Sequence, residues 1–109
     1  MNISLIQFDI LWEDKQGNFA RLSELLGEVP DGTDLVILPE MFSTGFSPAA
    51  NVFAEEPRSI TFEWMQKTSQ ENGFAIAGSY MVAEGGKLFN RWVFVSPEGA
   101  VFSYDKRHL

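Results

Sequence analysis

Cysteine is absent from all 109 residues of this sequence. That absence excludes disulfide bonds and thiolate metal ligands, and it excludes a cysteine nucleophile within these residues. Histidine occurs once, at His108, and no cluster of candidate metal ligands is visible in the sequence. We therefore expect His108 to be a polar residue at a strand end, and neither a catalyst nor a metal ligand.

Positive charge is also scarce, because eight Lys and Arg residues stand against fifteen Asp and Glu residues. The net charge of −7 and the lack of a basic stripe argue against binding to nucleic acid or to anionic membrane surfaces. No hydrophobic run approaches the roughly 20 residues of a membrane span. The N-terminal residues lack the basic start of a secretory signal, so we expect a cytoplasmic location.

Apolar residues are abundant: 45% of the sequence is hydrophobic and 14% is aromatic, which is typical of a folded chain. The length fits one domain or a piece of one. Three apolar segments alternate with two helical patterns and are followed by hairpin strands, which predicts a two-layer α/β unit with a mixed sheet. The strands are predicted at residues 3–9, 35–38, 74–83, 88–96 and 100–104.

Two helices are predicted between the first three strands. Asp14 fits the N-cap of the first helix, and Pro30 marks its end. Its apolar stripe consists of Phe19, Leu22, Leu25, Leu26 and Val29. The second helix is predicted at residues 59–72 and stops before Gly73. The side chains expected to face inward from it are those of Ile60, Phe62, Trp64 and Met65.

The predicted strands near the C-terminus have no following helix to cover their second face. A sheet covered on one side only would expose Trp92, Phe94 or Phe102, and a monomer rarely tolerates an apolar patch of that kind. The sequence therefore predicts a missing layer, which would come from more chain or from a partner.

Glu40 follows directly after a short apolar strand. Residues 35–38 are expected to be buried on both faces, and Pro39 cannot donate to a sheet, so strand pairing should stop there. Sites in open α/β sheets lie beyond the carboxyl ends of the strands. Among Met41, Phe42 and Phe46, the Glu40 carboxyl is expected to have a raised pKa and to act as a general base. The alternative is an acid that simply faces water.

The loop at residues 43–57 follows Glu40 and carries three hydroxyl side chains, those of Ser43, Thr44 and Ser47. Loops of this length in a compact domain are usually functional or mobile. No G-x-S-x-G motif is present, and the single histidine lies far along the chain. We therefore assign these hydroxyls to turn formation and not to nucleophilic catalysis.

Five stretches of the sequence occur in an order that resembles the carbon–nitrogen hydrolase (nitrilase) superfamily. They are residues 38–42 (LPEMF), 77–79 (AGS), 89–91 (FNR), 96–99 (SPEG) and 104–109 (YDKRHL). The resemblance covers the whole chain. Residues 39–46 (PEMFSTGF) together with the last stretch are most similar to the bacterial omega-amidase branch.

This resemblance implies a Glu–Lys–Cys triad on an αββα sandwich, with residues 1–109 as the N-terminal portion of the domain. Glu40 would be the general base and Lys106 the lysine, while the nucleophilic cysteine of the family would lie beyond Leu109. Phe42 and Phe46 are expected to wall the substrate pocket, although ordinary core packing explains them equally well. Arg107 is expected to be structural or exposed, and holding a substrate carboxylate is its less favoured alternative.

The resemblance further implies hydrolysis of a small linear amide without a metal or organic cofactor. In the omega-amidase branch the substrate is a 2-oxo-dicarboxylic acid monoamide such as 2-oxoglutaramate. The isolated 109-residue chain should be inactive, because it lacks the thiol. We also expect the protein to be a homodimer or a higher homo-oligomer.

Two other readings compete with the amidase. In the first, the chain is a non-catalytic half-domain that acts as a binding or oligomerisation module. In the second, it is a generic α/β domain for a nucleotide or another ligand. The second is the weakest, because Gly85 and Gly86 form no G-x-G-x-x-G motif that would cradle phosphates.

Overall fold

Five strands form one mixed sheet in the computed structural model, which describes residues 1–109. Along the chain the elements are β1 (Ile3–Leu5), α1 (Lys15–Leu26), β2 (Leu35–Ile37), α2 (Ala50–Phe53), α3 (Ile60–Asn72), β3 (Ala75–Glu84), β4 (Lys87–Val95) and β5 (Val101–His108). The predicted order is confirmed. The main differences are a β1 shorter than predicted, a β5 that extends four residues further, and the additional short helix α2.

The strands lie in the sheet in the order in which they occur in the sequence. β1, β2 and β3 are parallel neighbours, whereas β3–β4 and β4–β5 are antiparallel hairpin pairs. Parallel neighbours need a crossover connection, which α1 supplies between β1 and β2 and α3 supplies between β2 and β3. The predicted α/β class with a mixed sheet and helices on one face is confirmed.

The two long helices, α1 and α3, pack on one side of the sheet, which we call the helix-covered face. Because side chains alternate along a strand, alternate apolar residues of β2, β3 and the C-terminal half of β4 join this core. Its strand residues include Val36, Ile76, Tyr80, Val82, Val93 and Val95, and its helix residues include Phe19, Leu22, Leu26, Phe62 and Met65. The expectation that Ile60 faces inward is wrong, since this first residue of α3 is 39% exposed.

Two ends of the long helices follow their sequence signals. The Asp14 carboxylate accepts a hydrogen bond of 2.9 Å from the Gly17 amide, as an N-cap should. Gly73 closes α3 in the left-handed conformation, with a φ of 75°, which glycine adopts without a Cβ clash. The predicted N-cap of α1 and the predicted end of α3 are confirmed, whereas the predicted end of α1 at Pro30 is wrong, because this helix already ends at Leu26 and Gly27 is its C-cap. Neither helix has the length and apolar character needed to cross a membrane.

The opposite side of the sheet, which we call the open face, is covered by neither α1 nor α3. Its exposed apolar side chains include Ile3 and Leu5 of β1 and Phe102 and Tyr104 of β5. The expectation that β2 is buried on both faces is wrong for this chain. Val36 is fully buried against the helices, but Leu35 and Ile37 on the open face are only half-buried.

Candidate active site

Glu40 lies in a tight turn just beyond the end of β2. The Leu38 amide still donates to the Ala77 carbonyl oxygen at 2.8 Å, after which the chain leaves the sheet. Met41 has a φ of 54°, an uncommon left-handed conformation for a residue other than glycine. Such conformations persist where the surroundings hold them, and they collect at functional sites.

Ser79 of β3 holds this turn in place. Its hydroxyl accepts a hydrogen bond of 3.1 Å from the Met41 amide, and its carbonyl oxygen accepts one of 3.3 Å from the Phe42 amide. Ser79 is 2% exposed, so both bonds are protected from water. The backbone that carries Glu40 is therefore fixed to the central strand of the sheet.

Two donors from distant parts of the chain converge on the Glu40 carboxylate. Lys106 Nζ lies 2.5 Å from Oε2, and Asn90 Nδ2 donates to Oε1 at 3.1 Å. Asn90 is 1% exposed, whereas the Glu40 and Lys106 side chains are 36% and 38% exposed on the open face. The structure thus brings together the two residues that the sequence singled out, and it leaves them accessible from the open side.

These contacts reverse the expected direction of the Glu40 pKa shift. The hydrogen bond from Lys106 lowers the pKa of the carboxyl below its ordinary value, and the charge of Lys106, the Asn90 amide and the charge of Arg107 act in the same direction. Burial alone would raise the pKa, but it is outweighed. The expectation of a raised pKa is therefore wrong, because the charge partners matter more than the apolar neighbours.

A β-bulge in β5 accompanies the placement of Lys106. Arg91 pairs with Asp105 and Asn90 pairs with Arg107, so Lys106 is an extra residue with no partner on β4. Bulges of this kind re-aim side chains and are common next to active sites. On the helix-covered side, Arg91 contacts Asp105 at 2.6 Å and Glu84 at 2.7 Å, and these pairs flank the bulge.

The two phenylalanines that were expected to wall the pocket lie in different environments. Phe42 is fully buried in the helix-covered core, where its ring centroid is 5.9 Å from that of Trp64 and 6.2 Å from that of Tyr80. For Phe42 the structure therefore supports the packing alternative. Phe46 is 55% exposed and lines a cavity of about 470 Å³ on the open face, together with Met41 and Arg107.

Two of the three loop hydroxyls, those of Thr44 and Ser47, form hydrogen bonds with acceptors that hold the loop in place. Ser47 Oγ donates to the Glu13 carboxylate at 2.5 Å, and Thr44 Oγ1 donates to the Gly45 carbonyl oxygen at 2.8 Å. The Ser43 carbonyl oxygen accepts a hydrogen bond of 2.8 Å from the buried Asn18 side chain. None of these hydroxyls is paired with a histidine that could activate it as a nucleophile.

Sequence reasoning gave no role to Ser79 and Asn90, although both matter to the site. Ser79 lies in residues 77–79 and Asn90 in residues 89–91, two of the stretches that carry the family resemblance. This membership is the one feature of the sequence that could have indicated their role in the site. Their function depends on strand pairing, which places Ser79 beside the Glu40 turn and Asn90 beside the Glu40 carboxylate. Outside this site, no group of three or more His, Asp or Glu side chains is arranged to hold a metal ion.

Comparison with known proteins agrees with this arrangement. The family model described as "Carbon-nitrogen hydrolase" matches residues 2–109. The omega-amidase YafV of Yersinia enterocolitica is 33% identical over 109 residues, and that of Escherichia coli K12 is 34% identical over 111 residues. Each alignment covers all of this chain and 42% of the relative.

A solved structure supports the same assignment. XC1258 from Xanthomonas campestris, described as a CN-hydrolase superfamily protein with an arsenic adduct in its active site, superimposes with a TM-score of 0.90 at 40% sequence identity. The match covers 98% of this chain and 40% of that protein. The chain therefore belongs to the carbon–nitrogen hydrolase family, and it spans about two fifths of the length of these relatives.

Proposed function

We propose that residues 1–109 are the N-terminal portion of a carbon–nitrogen hydrolase domain that hydrolyses a small linear amide. The observation that carries the proposal is the ion pair of Glu40 and Lys106, held at a strained turn and a β-bulge and accessible from the open face. The names of the omega-amidase relatives support the amide as the substrate class. Glu40 is the general base in this proposal, and Lys106 is its cationic partner.

The chemistry explains why these two residue types are needed. An amide is a poor electrophile, so the proposed nucleophile is a cysteine thiol supplied by chain beyond Leu109, which forms a thioester and splits one difficult step into two. Glu40 takes the thiol proton, returns it to the departing ammonia and then activates a water molecule. With a pKa below the ordinary value of a glutamate, Glu40 is ionised near neutral pH, and this is the form that accepts a proton.

Lys106 has two effects in this scheme. Its charge lowers the pKa of Glu40, and in this scheme it also stabilises the negative charge that develops on the carbonyl oxygen of the tetrahedral intermediate. Loss of one such stabilising group typically costs about 2.7–4 kcal/mol of transition-state stabilisation. The net reaction consumes one amide and one water and releases a carboxylic acid and ammonia.

The substrate that we propose is a short 2-oxo-dicarboxylic acid monoamide, with 2-oxoglutaramate as the first candidate. The test is release of ammonia and 2-oxoglutarate from 2-oxoglutaramate by the complete protein that contains this chain. Turnover of this amide supports the proposal. If the complete protein hydrolyses no linear amide, the non-catalytic binding or oligomerisation module becomes the better description.

Cytoplasmic location and homo-oligomerisation stay predictions.

A further inference from the structure

Two consecutive cations, Lys106 and Arg107, lie on the same side of the sheet. In a regular strand successive side chains alternate between faces, so Arg107 would lie on the helix-covered face. The bulge at Lys106 changes this pattern, because Arg107 pairs with Asn90, whose side chain contacts Glu40. Accordingly, Arg107 lines the open-face cavity beside Met81 of β3.

The two cations differ in what they contact. Lys106 forms a salt bridge with the Glu40 carboxylate, whereas Arg107 takes part in none of the five salt bridges of the chain. Among residues 1–109, no acidic side chain lines the cavity, and none forms a salt bridge with the guanidinium. Arg107 is nevertheless close enough to the site for its charge to help lower the pKa of Glu40.

The rest of the cavity is mainly apolar. Met41, Phe46, Met81 and Leu88 contribute its hydrophobic walls, and Arg107 is the single charged residue that lines it. Small-molecule sites commonly combine apolar walls with a few polar groups that fix the ligand's orientation. A cavity of this composition suits a short chain of carbon atoms that ends in one anionic group.

We propose that Arg107 determines substrate specificity by binding a carboxylate at the end of the substrate remote from the scissile amide. A planar guanidinium with five donors matches a carboxylate in bidentate fashion. Residues 1–109 carry a net charge of −7, which disfavours anions, and Arg107 supplies a local positive charge at the cavity. This inference rests on the amidase function proposed above.

The test compares two amides of similar size in the complete protein, succinamate with a carboxylate and butyramide without one. We expect Arg107→Gln to lower kcat/KM for succinamate roughly ten- to a hundredfold, mainly through KM, as loss of a charge-assisted hydrogen bond predicts. Turnover of butyramide should fall much less, because butyramide has no carboxylate contact to lose and the Lys106 and Asn90 contacts to Glu40 remain. Arg107→Lys should restore part of the succinamate activity, and Arg21→Gln on the surface of α1 is the matched control.

A binding measurement separates failure of this inference from failure of the proposed function. Levulinate resembles succinamate but has a methyl ketone in place of the amide, so it cannot release ammonia. Calorimetry should show that Arg107→Gln weakens levulinate binding roughly tenfold or more, even if no amide is hydrolysed. The assignment of Arg107 as the carboxylate-binding residue would be overturned if Arg107→Gln lowered kcat/KM equally for both amides. It would also be overturned if levulinate binding were unchanged in this variant.

Discussion

At Glu40, one carboxylate receives two donors that are far away in sequence. Asn90 is 50 residues further along the chain and Lys106 is 66 residues further. Because these donors lower the pKa in the folded state, the pairing stabilises the fold above the ordinary pKa of a glutamate. That contribution is lost as the pH falls through the lowered folded-state value. The contacts therefore extend the pH range in which Glu40 is ionised to more acidic values.

Replacing Asn90 tests this view of the carboxylate. In Asn90→Ala the donor to Oε1 is lost, so the pKa of Glu40 should rise toward its ordinary value while Lys106 remains in place. The measurement is an NMR titration of the Glu40 side-chain carboxyl carbon in the complete protein. Asn72→Ala, which removes only a hydrogen bond to the Thr68 carbonyl, is the matched control. An unchanged Glu40 titration in Asn90→Ala would contradict the role of Asn90.

The position of Glu40 could be predicted from sequence, whereas its ionisation could not. The apolar run before it and the proline beside it are local signals, and they correctly predict a turn after a strand. The direction of the pKa shift depends on Asn90 and Lys106, which reach Glu40 only through the pairing of β3, β4 and β5. Local composition suggested an apolar setting and therefore the opposite shift.

At the scale of elements, the turn that carries Glu40 depends on a close approach to β3. A Cβ added at Gly78 would lie 2.8 Å from Phe42 Cδ1 and 3.1 Å from Leu38 Cβ. The Phe42 ring cannot move away freely, because it packs against Trp64 and Tyr80. Glycine at position 78 is therefore required by packing, and its contacts lie on both sides of Glu40 in the sequence.

Gly78→Ala should accordingly disturb both stability and activity. We expect a loss of about 1–3 kcal/mol in the free energy of unfolding from overpacking, measured by urea denaturation. Amide hydrolysis should fall as well, because the displaced residues flank the proposed general base. In the control Gly27→Ala, at a φ of −66°, the unfolding free energy should change by less than about 1 kcal/mol. Equal stability of Gly78→Ala and the unmodified protein would show that the contact can relax without cost.

A regular alternation of side chains along β5 accounts for one part of the site and not for another. It places Phe102, Tyr104 and Lys106 on one face, and the open face does carry all three. The same alternation would send Arg107 to the other face, yet it lines the open-face cavity. The difference comes from the bulge, whose presence depends on the register between β4 and β5.

At the scale of the whole molecule, the open face exposes apolar side chains that we expect to be covered in the complete protein. Phe102 and Tyr104 are 64% and 67% exposed, and Ile3 and Leu5 extend the apolar surface to the opposite edge of the sheet. We propose that the remainder of the carbon–nitrogen hydrolase domain covers this face, which would also bring the missing nucleophile toward Glu40. The chain's coverage of about two fifths of its relatives supports this proposal.

Phe102→Ala in the complete protein tests whether the open face is covered. If the Phe102 side chain is buried in the complete protein, its replacement by alanine should lower the free energy of unfolding by about 3–5 kcal/mol. If the face stays exposed as in this chain, the change should remain within about 0.5 kcal/mol. Val52→Ala, at a residue of α2 that is 68% exposed, is the control and should have little effect. A small effect at both positions would contradict the proposed covering layer.

The most direct test of the proposed catalytic pair is kcat/KM for 2-oxoglutaramate in the complete protein with Glu40→Gln or Lys106→Ala. Removal of a general base typically costs about 10²–10⁴-fold, and removal of a charge-stabilising group costs about 10²–10³-fold. Glu98→Gln and Lys67→Ala, at exposed positions away from the site, are the matched controls and should keep normal turnover. We predict that both site variants lose activity in these ranges and still unfold cooperatively. Near-normal turnover by Glu40→Gln would contradict the assignment of Glu40 as the general base.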